Sequence, residues 1–184
     1  MHARIDLSAI QNLANVMAAA GAQVPTAAAR ALNHTVAKAR TIMVREVVGS
    51  TGLKYGTIRR ALKLENATPG NLIATIKSKG GDVGLRHFKA RETAAGVSAA
   101  PRNHRQVFAG SFQKGGQFPT RVALRLGGHV YRRAGKGRLP LVKQKSGVFI
   151  PEDMVEGASE AAFYKVAQSD LPARLAHELY RVIG

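Results

Sequence analysis

Among its 184 residues the chain has no cysteine and no tryptophan. Without cysteine there are no disulfides, no cysteine-ligated zinc, no iron–sulfur cluster and no thiol nucleophile. Aromatic residues make up only 5% of the chain, and its basic part carries no interleaved pattern of the kind that stacks bases. No stretch approaches the ~20 apolar residues of a membrane-spanning helix, so no membrane partner is expected. Acidic residues are scarce as well: 11 Asp and Glu stand against 28 Lys and Arg, for a formal charge of +17. An excess of that size predicts a polyanionic neighbour.

The scarcity is uneven. Residues 1–92 hold 14 Lys/Arg against 5 Asp/Glu, and residues 152–184 hold 3 against 6. Residues 93–151 hold 11 Lys/Arg and no acid. A block of 59 residues without a carboxylate cannot pair its cations internally, and it is expected to present them to a partner.

What is present is enough to fold. Hydrophobic residues make up 45% of the chain, which excludes global disorder, and the length suits a single domain over 1–184. Its parts are a helical N-terminal part over 1–66, a basic part of antiparallel strands and loops over 67–150, and C-terminal helices over 151–184. Leu7, Ile10, Leu13 and Val16 recur at helical spacing, so residues 7–20 read as a helix rather than a signal peptide. Pro25 and Thr26 open a longer helix to about residue 48. Ala28, Leu32, Val36, Ala39, Met43 and Val47 form its apolar stripe, with Arg30, His34, Lys38 and Arg45 opposite. A short helix is expected over 55–62.

The texture then changes. Residues 71–79 read as a strand with 83–88 as its hairpin partner, and 121–126 as a strand returning over 129–133. Residues 96–101 and 106–109 are further strand segments. Gly-rich basic loops cover 111–119 and 134–137. Helices are expected over 154–168 and 170–183, the second capped by Ser169 or Asp170 and striped by Leu171, Leu175, Leu179 and Val182. The order predicts an α+β fold: an antiparallel sheet of about four strands covered by N-terminal and C-terminal helices, with long basic loops.

Sites of chemistry are not apparent. None of His2, His34, His87, His104, His129 and His177 pairs with another at metal-ligand spacing on a helix. Glu152, Asp153, Glu156 and Glu160 cluster where a helix begins, and its dipole explains them. The loop Ala134-Gly135-Lys136-Gly137-Arg138 lacks the full phosphate-loop pattern, so no nucleotide cofactor is expected. The loop reads instead as flexible backbone carrying cations outward. Arg132, Arg133, Lys136, Arg138, Lys143 and Lys145 lie within 14 residues and form the candidate surface for DNA or an acidic partner.

The same stretch, from His129-Val130-Tyr131-Arg132-Arg133 through Lys136-Gly137-Arg138 to Leu139-Pro140-Leu141, resembles a segment of the phage minor tail protein Z family, which groups with tail-completion proteins of long-tailed phages. There the segment reads aromatic or histidine, then Arg, Gly, Lys, Arg and Leu-Pro-Ile. The approach Val148-Phe149-Ile150-Pro151 to a helix from Met154 is similar too. So is the Ala31-Leu32-Asn33-His34-Thr35-Val36 helix leading into Lys54, Arg59, Arg60 and Ala61. The resemblance implies a structural virion protein, assembled in the host cytoplasm, at the head-proximal end of a phage tail. Such proteins form a homo-oligomeric ring, commonly hexameric, between the tail terminator and the head connector. The genomic DNA occupies the channel, and neither an enzyme activity nor a cofactor is implied. The other reading of the charge is a stand-alone, non-specific nucleic-acid-binding protein. A recognition element would favour that reading, and the sequence displays none.

Overall fold

The computed structural model of the chain describes residues 2–3, 21 and 23–183. The helix expected over 7–20 lies outside the described residues. The long helix that follows, α1 (Val24–Thr51), takes Pro25 in its first turn, where a missing N–H breaks no helical bond. It ends at Gly52, whose φ of 75° suits a residue without a side chain and whose N–H bonds the Val48 carbonyl at 3.0 Å. The expected stripe from Ala28 to Val47 is buried, and Arg30, His34, Lys38 and Arg45 are exposed.

The C-terminal part departs from expectation. A short helix, α2 (Tyr55–Ala61), follows α1, but at the far end of the chain α3 (Ile150–Met154) precedes one continuous helix, α4 (Gly157–Ile183). Twenty-seven residues span about 40 Å. The helix runs straight through Ser169 and Asp170, where a cap and a new start were expected, and through Pro172. Proline inside a helix costs ~3 kcal/mol. Burial offsets this: Phe163, Val166, Leu171, Leu175 and Leu179 are all in the core, with Val182 partly buried at its edge. Helices α1 and α4 pack on each other more extensively than any other two elements. Asp170 does not cap a helix. Its carboxylate reaches α1, accepting hydrogen bonds from Lys38 Nζ and, at 3.0 Å, from Thr35 Oγ1, and pairing with His34 Nδ1 at 3.3 Å. The Lys38 bond is the main cause that holds this carboxyl below its ordinary range.

The α+β class stands, but the single sheet of about four strands does not. Among the described residues, eleven short strands form four small antiparallel sheets. In the first, β1 (His2–Ala3) and β2 (Leu62–Glu65) flank β3 (Thr75–Ser78). The second is β4 (Arg91–Thr93), β5 (Gly96–Ala99) and β6 (Gln106–Ala109), in that order. A Cβ on Gly96 would stand 2.3 Å from the Phe108 carbonyl oxygen, so only glycine permits this close pairing of β5 with β6. The third sheet places β10 (Tyr131–Arg133) between β7 (Ser111–Phe112) and β11 (Leu141–Lys143). The fourth is β8 (Lys114–Gly115) with β9 (Val122–Ala123).

Two expected hairpins are replaced by longer-range pairings. Residues 83–88 do not return along β3. The Asp82 carboxylate accepts the N–H groups of Ser146 at 3.0 Å and Gly147 at 2.9 Å. That clamp lays residues 83–85 along 144–148, with Val83 N–H on Val148 O at 2.9 Å and Ser146 N–H on Val83 O at 3.0 Å. Residues 121–126 likewise do not return over 129–133. Val122 is 70% exposed, so its alternating pattern faces no core, and β10 pairs with β7 and β11 instead.

Candidate cationic surface

The acid-free block is neutralised only from outside itself, and only in part. Arg102 forms a two-pronged pair with Asp153 at 2.8 and 3.4 Å, and Arg121 pairs with Glu92. The other nine of its eleven cations make no salt bridge among the described residues. Glu92 does more than pair, since its carboxylate also accepts the backbone N–H groups of Gln113 and Lys114 and so ties β4 to the loop beyond β7.

The six cations expected from the sequence are split by the pleat. Cross-strand partners share a face. Tyr131 stands opposite Lys143, and Arg132 opposite Val142. Lys143 therefore shares a face with Tyr131 and Arg133, and Arg132 lies on the other. Arg133 is exposed, but its head is held within its own hairpin. Its guanidinium lies 5.7 Å from the centre of the Phe112 ring and donates to the carbonyl oxygen of Arg138, bracing the loop between β10 and β11. Lys145 donates to the Asp82 carbonyl oxygen at 2.9 Å. The side chains of Arg132, Lys136, Arg138 and Lys143 are exposed and make no hydrogen bond among the described residues.

The clamp at Asp82 brings a second group of cations to Lys143 and Lys145. Gly84 forms a bridge with Lys145, Leu85 N–H bonds Gln144 O at 3.4 Å, and Gln144 N–H bonds Val130 O at 2.8 Å. Arg86, His87 and His129 meet there. Arg86 Nε donates to His87 Nε2 at 3.1 Å, and Arg86 Nη1 donates to His129 Nε2 at 3.0 Å and to Gly127 O at 3.1 Å. A guanidinium only donates, so both imidazoles accept through Nε2 and are neutral. Both also have pKa values below the ordinary 6.5, first through burial and then through neighbouring charge. The charges are Arg86, Arg60 and Lys54 for His87, and Arg86, Lys143 and Lys145 for His129, to which His87 adds once it is itself protonated. At the level of sequence these histidines show only a lack of metal-ligand spacing, and Arg86 lies outside the acid-free block with nothing to single it out. Among the described residues, no group of three or more His, Asp or Glu could hold a metal ion.

A cleft of about 260 Å³ has the opposite sign. It lies where the end of α1 meets the start of α4 and is lined by Glu46, Ser50, Asp153, Glu156 and Ser159. No helix among the described residues is long and apolar enough to cross a membrane.

The family model described as prophage minor tail protein Z (GPZ) matches residues 7–183 of the chain. No curated protein and no solved structure matches it.

Proposed function

We propose, from the premise that the chain belongs to the prophage minor tail protein Z family, that it is the tail-completion subunit at the head-proximal end of a phage tail. The family makes it a structural protein of the phage tail, associated with the virion. In the finer reading, copies of the chain form a ring, six-fold in the simplest case, between the tail terminator and the head connector. The ring surrounds the genomic DNA and contributes no catalysis.

The observation that carries the reading is the family match over 7–183. Two features of the molecule support it. Nine cations of the middle block lack an acidic partner among the described residues, which suits a polyanion in a channel. The acidic cleft and the cationic surface are different patches on one subunit, and head-to-tail contacts that close a ring join unlike patches.

The test is a phage carrying a nonsense mutation in this gene, grown with and without the protein supplied in trans. Without it, filled heads and tails of normal length accumulate unjoined. Antibody against the supplied protein then labels the head-proximal end of joined particles. Labelling at the tip or along the tube refutes the position. Protein absent from particles but recovered on cellular nucleic acid supports the stand-alone binding protein instead.

A further inference from the structure

We propose that Arg86, His87 and His129 form a binding site for a phosphodiester of the DNA backbone, flanked by Lys143 and Lys145 on one side and Lys54 and Arg60 on the other. This inference rests on the reading that the cationic surface meets DNA. It places the contact at a centre assembled, with its flanks, from four chain segments, rather than on the hairpin cations alone.

The geometry of Arg86 carries it. Arg86 makes no salt bridge among the described residues. Three of its five N–H groups are taken by neutral acceptors: two imidazole nitrogens and the Gly127 carbonyl. Those bonds fix the plane of the guanidinium without neutralising its charge. Its two Nη2 N–H groups have no partner among the described residues, and an oriented pair of that kind suits a phosphate oxygen. The His129 ring is itself held between two residues without side chains. Its Nδ1 lies 4.0 Å from where a Cβ on Gly84 would stand, and its Cδ2 lies 3.4 Å from the equivalent point on Gly127.

The imidazoles make the site responsive to pH. Each is neutral while it accepts from Arg86, and the lysines and arginines around it oppose its protonation. A phosphate placed among these groups reverses that balance. An imidazole can then take a proton from solvent, release its bond to Arg86 and donate Nε2–H to a phosphate oxygen. Phosphate binding and proton uptake are therefore linked, and affinity rises as pH falls. The groups facing the histidines are Arg86, on the same turn as His87, Lys54 and Arg60 at α2, and Lys143 and Lys145 at β11 and just beyond it. All are cations, and no carboxylate among the described residues contributes to the shift of either histidine.

The experiment is fluorescence anisotropy of the full-length protein with short duplex DNAs of two unrelated sequences, across a salt series at pH 7.5 and 5.5. Wild type binds both sequences alike and binds about threefold to tenfold tighter at pH 5.5. Arg86→Gln weakens binding about tenfold and lowers the salt slope by about one. Lys143→Gln, whose side chain braces nothing, also lowers the slope and covers the case in which Arg86→Gln misfolds. The double variant His87→Gln, His129→Gln abolishes the gain at low pH. The triple variant Arg132→Gln, Arg133→Gln, Arg138→Gln weakens binding but retains that gain. Salt-dependent binding that is indifferent to pH and to Arg86→Gln, yet lost in the triple variant, overturns this site and leaves the DNA reading intact. No salt-dependent binding by wild type overturns both.

Discussion

Truncating Leu175 to alanine tests the packing that holds the molecule together. Leu175 is 5% exposed and lies between Leu171 and Leu179 on the face of α4 that meets α1. Leu→Ala at a buried site costs about 2–5 kcal/mol, the spread reflecting how far the surroundings collapse into the cavity. Here collapse is restricted. Much of the buried face of α1 is Ala27, Ala28, Ala31 and Ala39, side chains without rotamers to swing into the space. The loss therefore belongs in the upper part of the range, about 3–5 kcal/mol. For a chain of this size 1 kcal/mol moves the midpoint by about 2–4 °C, so Tm falls by about 6–20 °C. Tyr180→Ala, five residues along the same helix but 80% exposed, is the control, and it stays within about 0.5 kcal/mol of wild type. Urea unfolding followed by far-ultraviolet circular dichroism reads both variants. A Leu175→Ala midpoint equal to wild type, or two variants that fall together, would refute the account of the α1–α4 seam.

Two further outcomes follow from the same structure. Stability should fall on acidification in two stages. His87 and His129 have folded-state pKa values below 6.5, so the unfolded chain binds more protons and stability declines from about pH 6.5 downward. Asp170 is held below 3.8, so its contribution is present above that value and is lost as pH falls through its folded pKa. In urea titrations from pH 8 to 3, His87→Gln with His129→Gln removes the first stage and Asp170→Asn the second; an unchanged profile in either variant contradicts the assignment. Gly96→Ala destabilises by at least about 2 kcal/mol, because the new methyl meets the Phe108 carbonyl and φ is +151°. Gly110→Ala, at φ +69° in open space, costs only about 1 kcal/mol, and equal midpoints for the two would contradict the close approach.

The helices were legible because their information is local. The stripe of α1 recurs every three to four residues, and each of its six expected members is buried. The stripe Leu171, Leu175, Leu179 was equally plain. The break before it rests on Ser169 and Asp170, residue types that do signal a helix start, yet the long seam with α1 carries the helix through. The sheets were less legible for the opposite reason. Their strands are two to four residues long, too short for alternation to register, and their partners are set by contacts far away in sequence. Asp82 is the plainest case: one carboxylate, 64 residues from Ser146, decides which segment 83–85 lies beside.

The same distinction separates what composition says about the surface from what it cannot. Counting residues identifies 93–151 as a block whose cations have no acids of their own, and pairing across the fold reaches only Arg102 and Arg121. Counting does not say how each of the remaining cations is held. Arg133 and Lys145 stand in the densest part of the block, and both are bonded to carbonyl oxygens. Arg86 stands outside the block, seven residues before it begins, and the Asp82 clamp carries it to Lys143 and Lys145. A carbonyl or an imidazole that holds a guanidinium leaves its charge in place, whereas a carboxylate cancels it. A polyanion therefore meets the full charge of cations held by neutral acceptors as well as of free ones, and Arg86, with both imidazoles and Gly127 as its acceptors, is the side chain here that is held in that way three times over.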